Sequence, residues 1–111
     1  MKIITAMIQP FMLDKVADAL EAIDGFPGMT VTGARGFGRR RAAAEGTSAP
    51  LDQFIEKARI EIVTPDGMAG RIVETIVRHA RTGNRGDGKV FVWPVEQAVR
   101  VRTGETNEGA L

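Results

Sequence analysis

The sequence predicts an α+β fold of order βαββαβ, in which one antiparallel sheet carries two helices on a single face. Three observations predict it. Short stretches rich in β-branched and apolar residues have the composition of strands. Between them, two longer stretches repeat apolar residues at intervals of three and four, as amphipathic helices do. Glycine and proline separate these stretches, so each reads as one element.

The predicted strands are bounded by turn-forming residues. In the third of them, Ala58, Ile60 and Ile62 alternate with charged residues, which indicates a strand with one buried face. A helical turn at 96–98 and a short fifth strand at 99–102 would follow the fourth. The four main strands are predicted at 2–8, 29–35, 57–63 and 89–95.

The two predicted helices span 12–23 and the stretch after Pro65 that Thr82-Gly83 closes. Asp66 is a candidate N-cap for the second helix, because its carboxylate can accept from the first free backbone N–H groups. The apolar stripes that predict the two helices consist of Leu13, Val16, Ala17, Leu20 and Ile23, and of Ala69, Ile72, Val73, Ile76, Val77 and Ala80.

This order is that of a ferredoxin-like sandwich. Its sheet would have one face without helices, although isoleucine, valine and methionine occur on both sides of the predicted strands. A chain of 111 residues has no third layer to cover that face. We therefore expect a single domain, residues 1–111, that forms oligomers through the open face of its sheet.

The composition excludes several kinds of function. A net charge of +1 gives no overall basic field for nucleic acid. The absence of cysteine and the single histidine argue against disulfides, a thiolate nucleophile and a metal centre. No nucleophile–base pair or carboxylate pair points to catalysis, so we expect no enzyme. The first residues form too short an apolar run for a signal peptide or a membrane span, which predicts a cytoplasmic protein.

Three polar clusters fit anion binding. Residues 36–41 (GFGRRR) and 86–89 (GDGK) combine close-approach glycines with cationic donors, and 100–102 (RVR) places two guanidinium groups on one side of a strand. Each has an ordinary structural reading as a turn, a solvated charge run or a charged edge strand. Together they indicate a polyanion with an attached base, held at strand ends.

Four stretches resemble, in order and spacing, the nitrogen-regulatory PII signal-transduction family, and the departures described below indicate a divergent member of it. The resemblance covers nearly the whole chain, and its combination of motifs is specific. The four stretches are 28–39 (GMTVTGARGFGR), 57–66 (KARIEIVTPD), 82–95 (TGNRGDGKVFVWPV) and 99–105 (VRVRTGE).

The resemblance implies a homotrimer that binds ATP, ADP or AMP as effector in clefts between subunits. It implies a T-loop at about 37–56 that docks on a membrane transporter or a metabolic enzyme, a B-loop at about 82–89 and a flexible tail at about 103–111. A transporter partner would recruit the protein to the membrane. Regulation of nitrogen or carbon metabolism would follow, and no nucleic acid is implied.

The resemblance also implies the residues of the nucleotide site. Thr30 would approach the adenine, with Met7 and Val63 lining the base pocket, and Arg100 and Arg102 would reach the phosphates from the adjacent subunit. The T-loop base and the phosphate cradle would consist of Gly36, Phe37, Gly38 and Arg39, and of Gly86, Asp87, Gly88 and Lys89.

Two departures from the family pattern affect the co-effector. Arg40 replaces a glutamine that helps to hold Mg-ATP and 2-oxoglutarate, and arginine has no acceptor for Mg²⁺. Whether Mg²⁺ accompanies the nucleotide thus stays open. Arg40, Arg41 and Lys57 form a candidate anion site. Whether it takes 2-oxoglutarate, bicarbonate or no anion stays open. The chain also has no tyrosine, so the family's uridylylation site is missing, and Ser48 falls near the position where some members of the family are phosphorylated.

An alternative of another class uses the same fold without the ligand. A trimeric structural or metal-tolerance module would keep the sheet and its oligomer but would not bind nucleotide. Substitution of Lys89 and Arg102 separates the two hypotheses, because only a nucleotide sensor would lose binding.

Overall fold

The structure is a computed structural model that describes residues 1–37 and 54–111. These two ranges contain four strands and two α-helices in the predicted order βαββαβ, which confirms the fold class. A 3-10 turn, Pro10–Met12, leads into the first helix. The elements are β1 (Lys2–Ile8), α1 (Leu13–Glu21), β2 (Thr30–Gly36), β3 (Ile55–Thr64), α2 (Asp66–Ala80) and β4 (Gly88–Pro94).

The sheet has the strand order β2-β3-β1-β4, and every neighbouring pair is antiparallel. Ile8 pairs with both Ala58 and Gly88, and Gly36 pairs with Ile55, so these residues lie at one end of the sheet, called here the turn end. Lys2 pairs with Thr64 and Pro94 at the opposite end, called the far end. This register decides which predicted site residues can meet.

Both helices cover one face of the sheet. On β3, Ala58, Ile60, Ile62 and Thr64 are buried, as the alternation predicts. The predicted stripes of the helices supply the other side of this core, except that Val77 is 38% exposed, because it borders an open groove beside edge strand β4. The buried apolar residues include Ile4, Ala6, Ile8, Val16, Leu20, Ile23, Ala69, Ile72, Ile76 and Ala80.

Among the described residues, no helix covers the other face of the sheet, which is partly apolar. Ile3, Val63 and Trp93 pair across it, and Phe91 lies in the next row. Phe91 and Trp93 are 50% and 52% exposed. Large aromatic side chains on one exposed sheet face are typical of an interaction surface, in line with the expected oligomer. Within the described residues, neither helix is long and apolar enough to span a bilayer.

Asp66 does not cap α2. The N-cap position is Pro65, no side chain caps the helix there, and Asp66 is its first residue. The Asp66 carboxylate instead lies 2.8 Å from the amino group of Met1. A carboxylate in the first turn still favours the helix through the helix dipole, so the predicted helix start is nearly correct although the predicted contact is wrong.

The predicted fifth strand at 99–102 is wrong. The backbone N–H of Arg100 donates to Glu105 at 2.8 Å, and the N–H of Gly104 donates to Arg100 at 2.8 Å. Gly104, with a φ of 74°, lets the chain reverse there, so only one bridge, Val99 to Thr106, has strand-like pairing. Arg100 and Arg102 therefore do not share a strand face. The predicted helical turn at 96–98 is also wrong, since these residues form a bend and irregular backbone.

The C-terminal residues are more regular than the expected loose tail. Residues Asn107–Ala110 form a 3-10 turn, and the backbone N–H of Asn107 donates to Ala98 at 2.7 Å. The guanidinium group of Arg100 reaches the backbone oxygen of Leu111 at 3.0 Å. Polar composition alone predicts looseness, whereas the structure satisfies these backbone groups within the segment.

Candidate functional site

The glycine-rich turn after α2 is organised by Asp87. Its carboxylate accepts the backbone N–H groups of Thr82 and Gly83 at 2.8 and 2.9 Å, and it also accepts the Thr82 hydroxyl. The hydroxyl bond is the main reason that the pKa of Asp87 lies below its usual value, and the backbone N–H groups and the charge of Lys57 act in the same direction. Asp87 therefore closes the turn, which is the ordinary structural role for an aspartate between glycines.

The pKa of Asp87 gives a direct test of this role. Replacing Thr82 with valine is expected to raise that pKa toward 3.8, because the hydroxyl donor is lost while the backbone donors remain. In the folded parent protein the pKa of Asp87 lies below 3.8, the ordinary value. The carboxylate's contribution to stability is therefore fully present at any pH above 3.8. The contribution is lost as the pH falls through the lower folded pKa. NMR titration of the Asp87 carboxyl carbon measures the change.

Asp66 is the internal control for this titration. Its pKa is also lowered, but mainly by a hydrogen bond and the charge of the N-terminal amino group. The Thr82 substitution should leave the Asp66 titration unchanged. An Asp87 pKa that does not move would contradict the assignment of the hydroxyl as its main partner.

Gly88 brings the turn against β1. Its φ is 112°, and a Cβ atom added there would lie 1.7 Å from the carbonyl oxygen of Met7. Only glycine allows this approach. The next residue, Lys89, pairs with Met7 across the strands, so the predicted pocket residue and the predicted phosphate-binding lysine are neighbours.

Lys57 ties β3 to the same turn. Its ammonium group donates to the carbonyl oxygen of Gly86 at 2.5 Å. A Cβ added to Gly86 would lie 3.1 Å from Nε2 of Gln9 and 3.6 Å from Nζ of Lys57. Gln9 therefore borders this corner, although sequence reasoning missed it. The available signal was its place just beyond β1, at the end where the GDGK turn enters β4.

At this end of the sheet the structure assembles much of the predicted site, and this set is called the turn-end cluster. Phe37 follows Gly36 at the end of β2, and its ring lies 6.0 Å from that of Phe54, which sequence reasoning also missed. Phe54 stands directly before β3, which begins at Ile55, two residues earlier than predicted. The turn-end cluster comprises Met7, Gly36, Lys57, Gly86, Asp87, Gly88 and Lys89.

The remaining predicted residues do not join this cluster within one chain. Thr30 pairs with Glu61 in the middle row of the sheet, and Val63 pairs with Ile3 toward the far end. The six steps of β4 from Gly88 to Pro94 span about 20 Å at roughly 3.4 Å per residue. The C-terminal segment leaves the sheet after Pro94, so it starts from the far end as well. Thr30, Val63, Arg100 and Arg102 are called the far-end group.

The two far-end arginines differ in their surroundings. Arg100 contacts Glu105 at 3.3 Å as well as Leu111, so its guanidinium group is held within its own segment. Arg102 is exposed in the reversal that follows. The other predicted cations, Arg39, Arg40 and Arg41, lie outside the described residues with Gly38 and Ser48.

The arrangement suits recognition of an anion rather than catalysis. Glycines with left-handed backbone, an exposed lysine and a second lysine that is already oriented by a carbonyl form a cradle for phosphate or carboxylate oxygens. Fold and cradle together define a small ferredoxin-like domain with a candidate ligand site at one end of its sheet.

Comparison with known proteins identifies the family. Residues 1–105 match the family model described as nitrogen regulatory protein P-II. The chain is 47% identical to nitrogen regulatory protein P-II of Haemophilus influenzae, 48% to that of Cereibacter sphaeroides and 46% to nitrogen regulatory protein P-II 1 of Escherichia coli K12, each over the full length of both chains. This chain belongs to the PII family of signal-transduction regulators, which confirms the resemblance.

A solved structure extends the similarity to the fold. The crystal structure of Arabidopsis thaliana PII bound to citrate superposes with a TM-score of 0.83 at 38% identity, covering 99% of this chain and 91% of that one. PII proteins are typically trimeric regulators that bind small effectors and act on partner proteins. The names of the relatives support a role in nitrogen metabolism. The divergent branch suggested by Arg40 and the missing tyrosine stays a prediction.

Proposed function

We propose that this protein senses adenine nucleotide (ATP, ADP or AMP) in clefts between neighbouring copies and signals the bound state to a partner protein through segment 37–56. The observation that carries the proposal is the turn-end cluster, where a preformed glycine turn and two lysines lie beside an apolar side chain of the open face.

The phosphates fit the turn itself. Lys89 is exposed at the start of β4, and Lys57 is oriented by Gly86. Because Asp87 already closes the turn, little ordering remains to be done when an anion binds. Asp87 is thus a positioning residue in this proposal, since its carboxylate oxygens already accept three hydrogen bonds and would repel phosphate.

The base fits a surface that one chain supplies only in part. Met7 lies at the turn end, whereas Thr30 lies in the middle row of the same open face and Val63 lies toward the far end. A second copy that places its far-end group against the turn-end cluster of the first would complete the pocket and add Arg102. The incomplete site supports a trimer with a nucleotide in each cleft.

A co-effector and a partner complete the proposed signalling. Lys57 is one of the two lysines of the phosphate cradle, and with Arg40 and Arg41 it would also take a small carboxylate such as 2-oxoglutarate, or bicarbonate. Binding there would favour one conformation of segment 37–56 by its differential affinity, which is the general requirement for a ligand switch. A transporter or a metabolic enzyme would read that conformation.

Calorimetric titration with ATP, ADP and AMP tests the proposal. Lys89→Ala and Arg102→Ala are each expected to weaken nucleotide binding about 10- to 100-fold, since a charged hydrogen bond contributes roughly 1.5–3 kcal/mol. Both variants should keep the parent oligomer. Arg78→Ala, which removes an exposed cation from the outer side of α2, is the matched control and should bind like the parent.

The alternative is a structural or metal-tolerance module without nucleotide. If none of the three nucleotides gives a heat of binding while the oligomer stays intact, the result would favour that module and contradict the sensor. Among the described residues, no group of three or more histidine, cysteine, aspartate or glutamate side chains is placed to hold a metal ion. Repeating the titrations with Mg²⁺ plus 2-oxoglutarate and with bicarbonate distinguishes the candidate co-effectors, because only the true one should tighten nucleotide binding.

A further inference from the structure

The centre of the open sheet face carries polar groups whose partners are missing from the described part of the chain. Thr5 is only 3% exposed, yet its hydroxyl has no hydrogen-bond partner there. Nε of Arg59 is likewise buried and without a partner. Buried polar atoms of this kind are rare, because each costs free energy unless it is satisfied.

Glu61 completes this polar centre. It pairs directly with Thr5 across β1 and β3, and Arg59 lies two residues before it on the same face. Nη2 of Arg59 and Oε2 of Glu61 are 3.6 Å apart, which is too long for a good hydrogen bond. The two side chains keep 40% and 34% of their surface exposed, so each still has room for another partner.

Apolar side chains surround Arg59 and Glu61, so a partner that packs on this face would remove both charges from water at a cost in free energy. Met7, Phe91, Val63 and Trp93 lie around them on the same face. A partner that packs on these apolar groups would also remove water from Arg59 and Glu61. Such charges must then be paired, because an isolated charge in an interface loses several kcal/mol of solvation.

We propose that Arg59 of one copy pairs with Glu61 of the next across the open faces, and that this contact sets the register in which copies assemble. The Thr5 hydroxyl lies beside the contact and would join it. A second copy is the occupant that the face itself indicates, since it offers both the missing cation and the missing acceptor. Glu61 is the single carboxylate that the four described strands place on that face, so it is the acceptor that the open face of a second copy offers to Arg59.

This inference rests on the proposed clefts between copies, and it adds how they are aligned. A slip of two residues between copies would separate Arg59 from Glu61 and would displace the far-end group from the turn-end cluster. The charge pair would thus couple assembly to the geometry of the ligand site.

A charge-reversal mixing experiment tests the contact. Arg59→Glu places two carboxylates at 59 and 61, and Glu61→Arg places two guanidinium groups there. Each variant alone should lose its trimer through like-charge repulsion. Mixed one to one, the two should form 2:1 and 1:2 trimers, at least about tenfold in excess over homotrimers by native mass spectrometry.

Mixing separates this contact from a pair within one chain, because a repulsion inside one chain cannot be relieved by another copy. Homotrimers of the single variants, or mixtures without preference for mixed trimers, would overturn the proposal. The matched controls are Arg78→Glu and Glu74→Arg, the same reversals at exposed positions of α2, which should form trimers alone and mix at random.

Two further measurements keep the test decisive. Circular dichroism establishes whether each variant is folded, and if the reversals do not fold, Arg59→Gln and Glu61→Gln replace them. Each neutral variant should weaken trimer association, and their double-mutant cycle should show coupling, whereas additive effects would overturn the contact. Native mass spectrometry of the trimers needs no nucleotide. If calorimetry shows no nucleotide binding, the proposed nucleotide sensing is contradicted, but this test of the Arg59–Glu61 contact is not affected.

Discussion

Gly88→Ala is expected to destabilise the protein by on the order of 3–5 kcal/mol. The added Cβ would lie 1.7 Å from the carbonyl oxygen of Met7 and 2.8 Å from its carbonyl carbon. Both are backbone atoms, so the contact is relieved only if β1 and β4 move apart. The residue would also have to keep a φ of 112°, which side-chain-bearing residues rarely adopt. Thermal unfolding at fixed protein concentration should show a midpoint lower by more than about 10 °C.

Two other glycines separate the causes of this effect. Gly83 has a φ of 89° but no atom within 4 Å of an added Cβ, so Gly83→Ala carries the backbone strain alone and should cost about 1–2 kcal/mol. Gly67 lies in α2 with open space around it, so Gly67→Ala should stabilise by up to about 1 kcal/mol. If Gly88→Ala cost no more than Gly83→Ala, close packing on Met7 would not explain the glycine.

Trimers built from both Lys89→Ala and Arg102→Ala chains are expected to recover the parent nucleotide affinity, which each variant alone has lost. Lys89 belongs to the turn-end cluster and Arg102 to the far-end group, and the proposed cleft takes one from each of two copies. In randomly mixed trimers, a cleft is intact when one copy keeps Lys89 and its neighbour keeps Arg102. Double purification leaves only 2:1 and 1:2 trimers, and in each of these about one cleft in three is intact, for a cyclic arrangement of equal copies. Co-expression with two tags, followed by calorimetry of the doubly purified protein, measures the recovered sites.

The control for this experiment pairs two variants of the same cluster. Lys89→Ala and Lys57→Ala chains each lack one lysine of the turn end, so no cleft in their mixed trimers has an intact turn end. They should recover no binding. Recovery of parent affinity in that control, or its absence in the Lys89 and Arg102 mixture, would contradict a site divided between copies.

Local periodicity was enough to predict the main elements. The alternation around Ala58, Ile60 and Ile62 predicts both the strand and its buried face, because side chains of a strand point to opposite sides in turn. The same logic fails for 99–102, where valine and arginine alternate but, among the residues that the structure describes, only Val99 is paired, in one bridge to Thr106. A strand needs a partner, and the partner is a tertiary property.

The sequence predicted the chemistry of the candidate site, but it predicted only some of the residues that form it. Glycines and lysines in the GDGK stretch indicate an anion cradle wherever they fold. Gln9 and Phe54 carry no such signal, and they enter the site only because the ends of β1 and β3 lie beside the turn and beside Phe37. Asp87 is the opposite case, because it belongs to the motif but, in the proposed site, does not bind the ligand. Its carboxylate oxygens accept hydrogen bonds that close the turn.

By itself the sequence determined the family, the order of strands and helices, and the kind of ligand group that the turn can hold. These depend on residue type and on spacing along the chain, which are local quantities. Only the tertiary structure decided that Lys89 and Met7 lie at one end of the sheet while Val63 lies toward the other. Antiparallel register decides that separation, because it places residues distant in sequence side by side and holds residues of one strand about 3.4 Å apart per step.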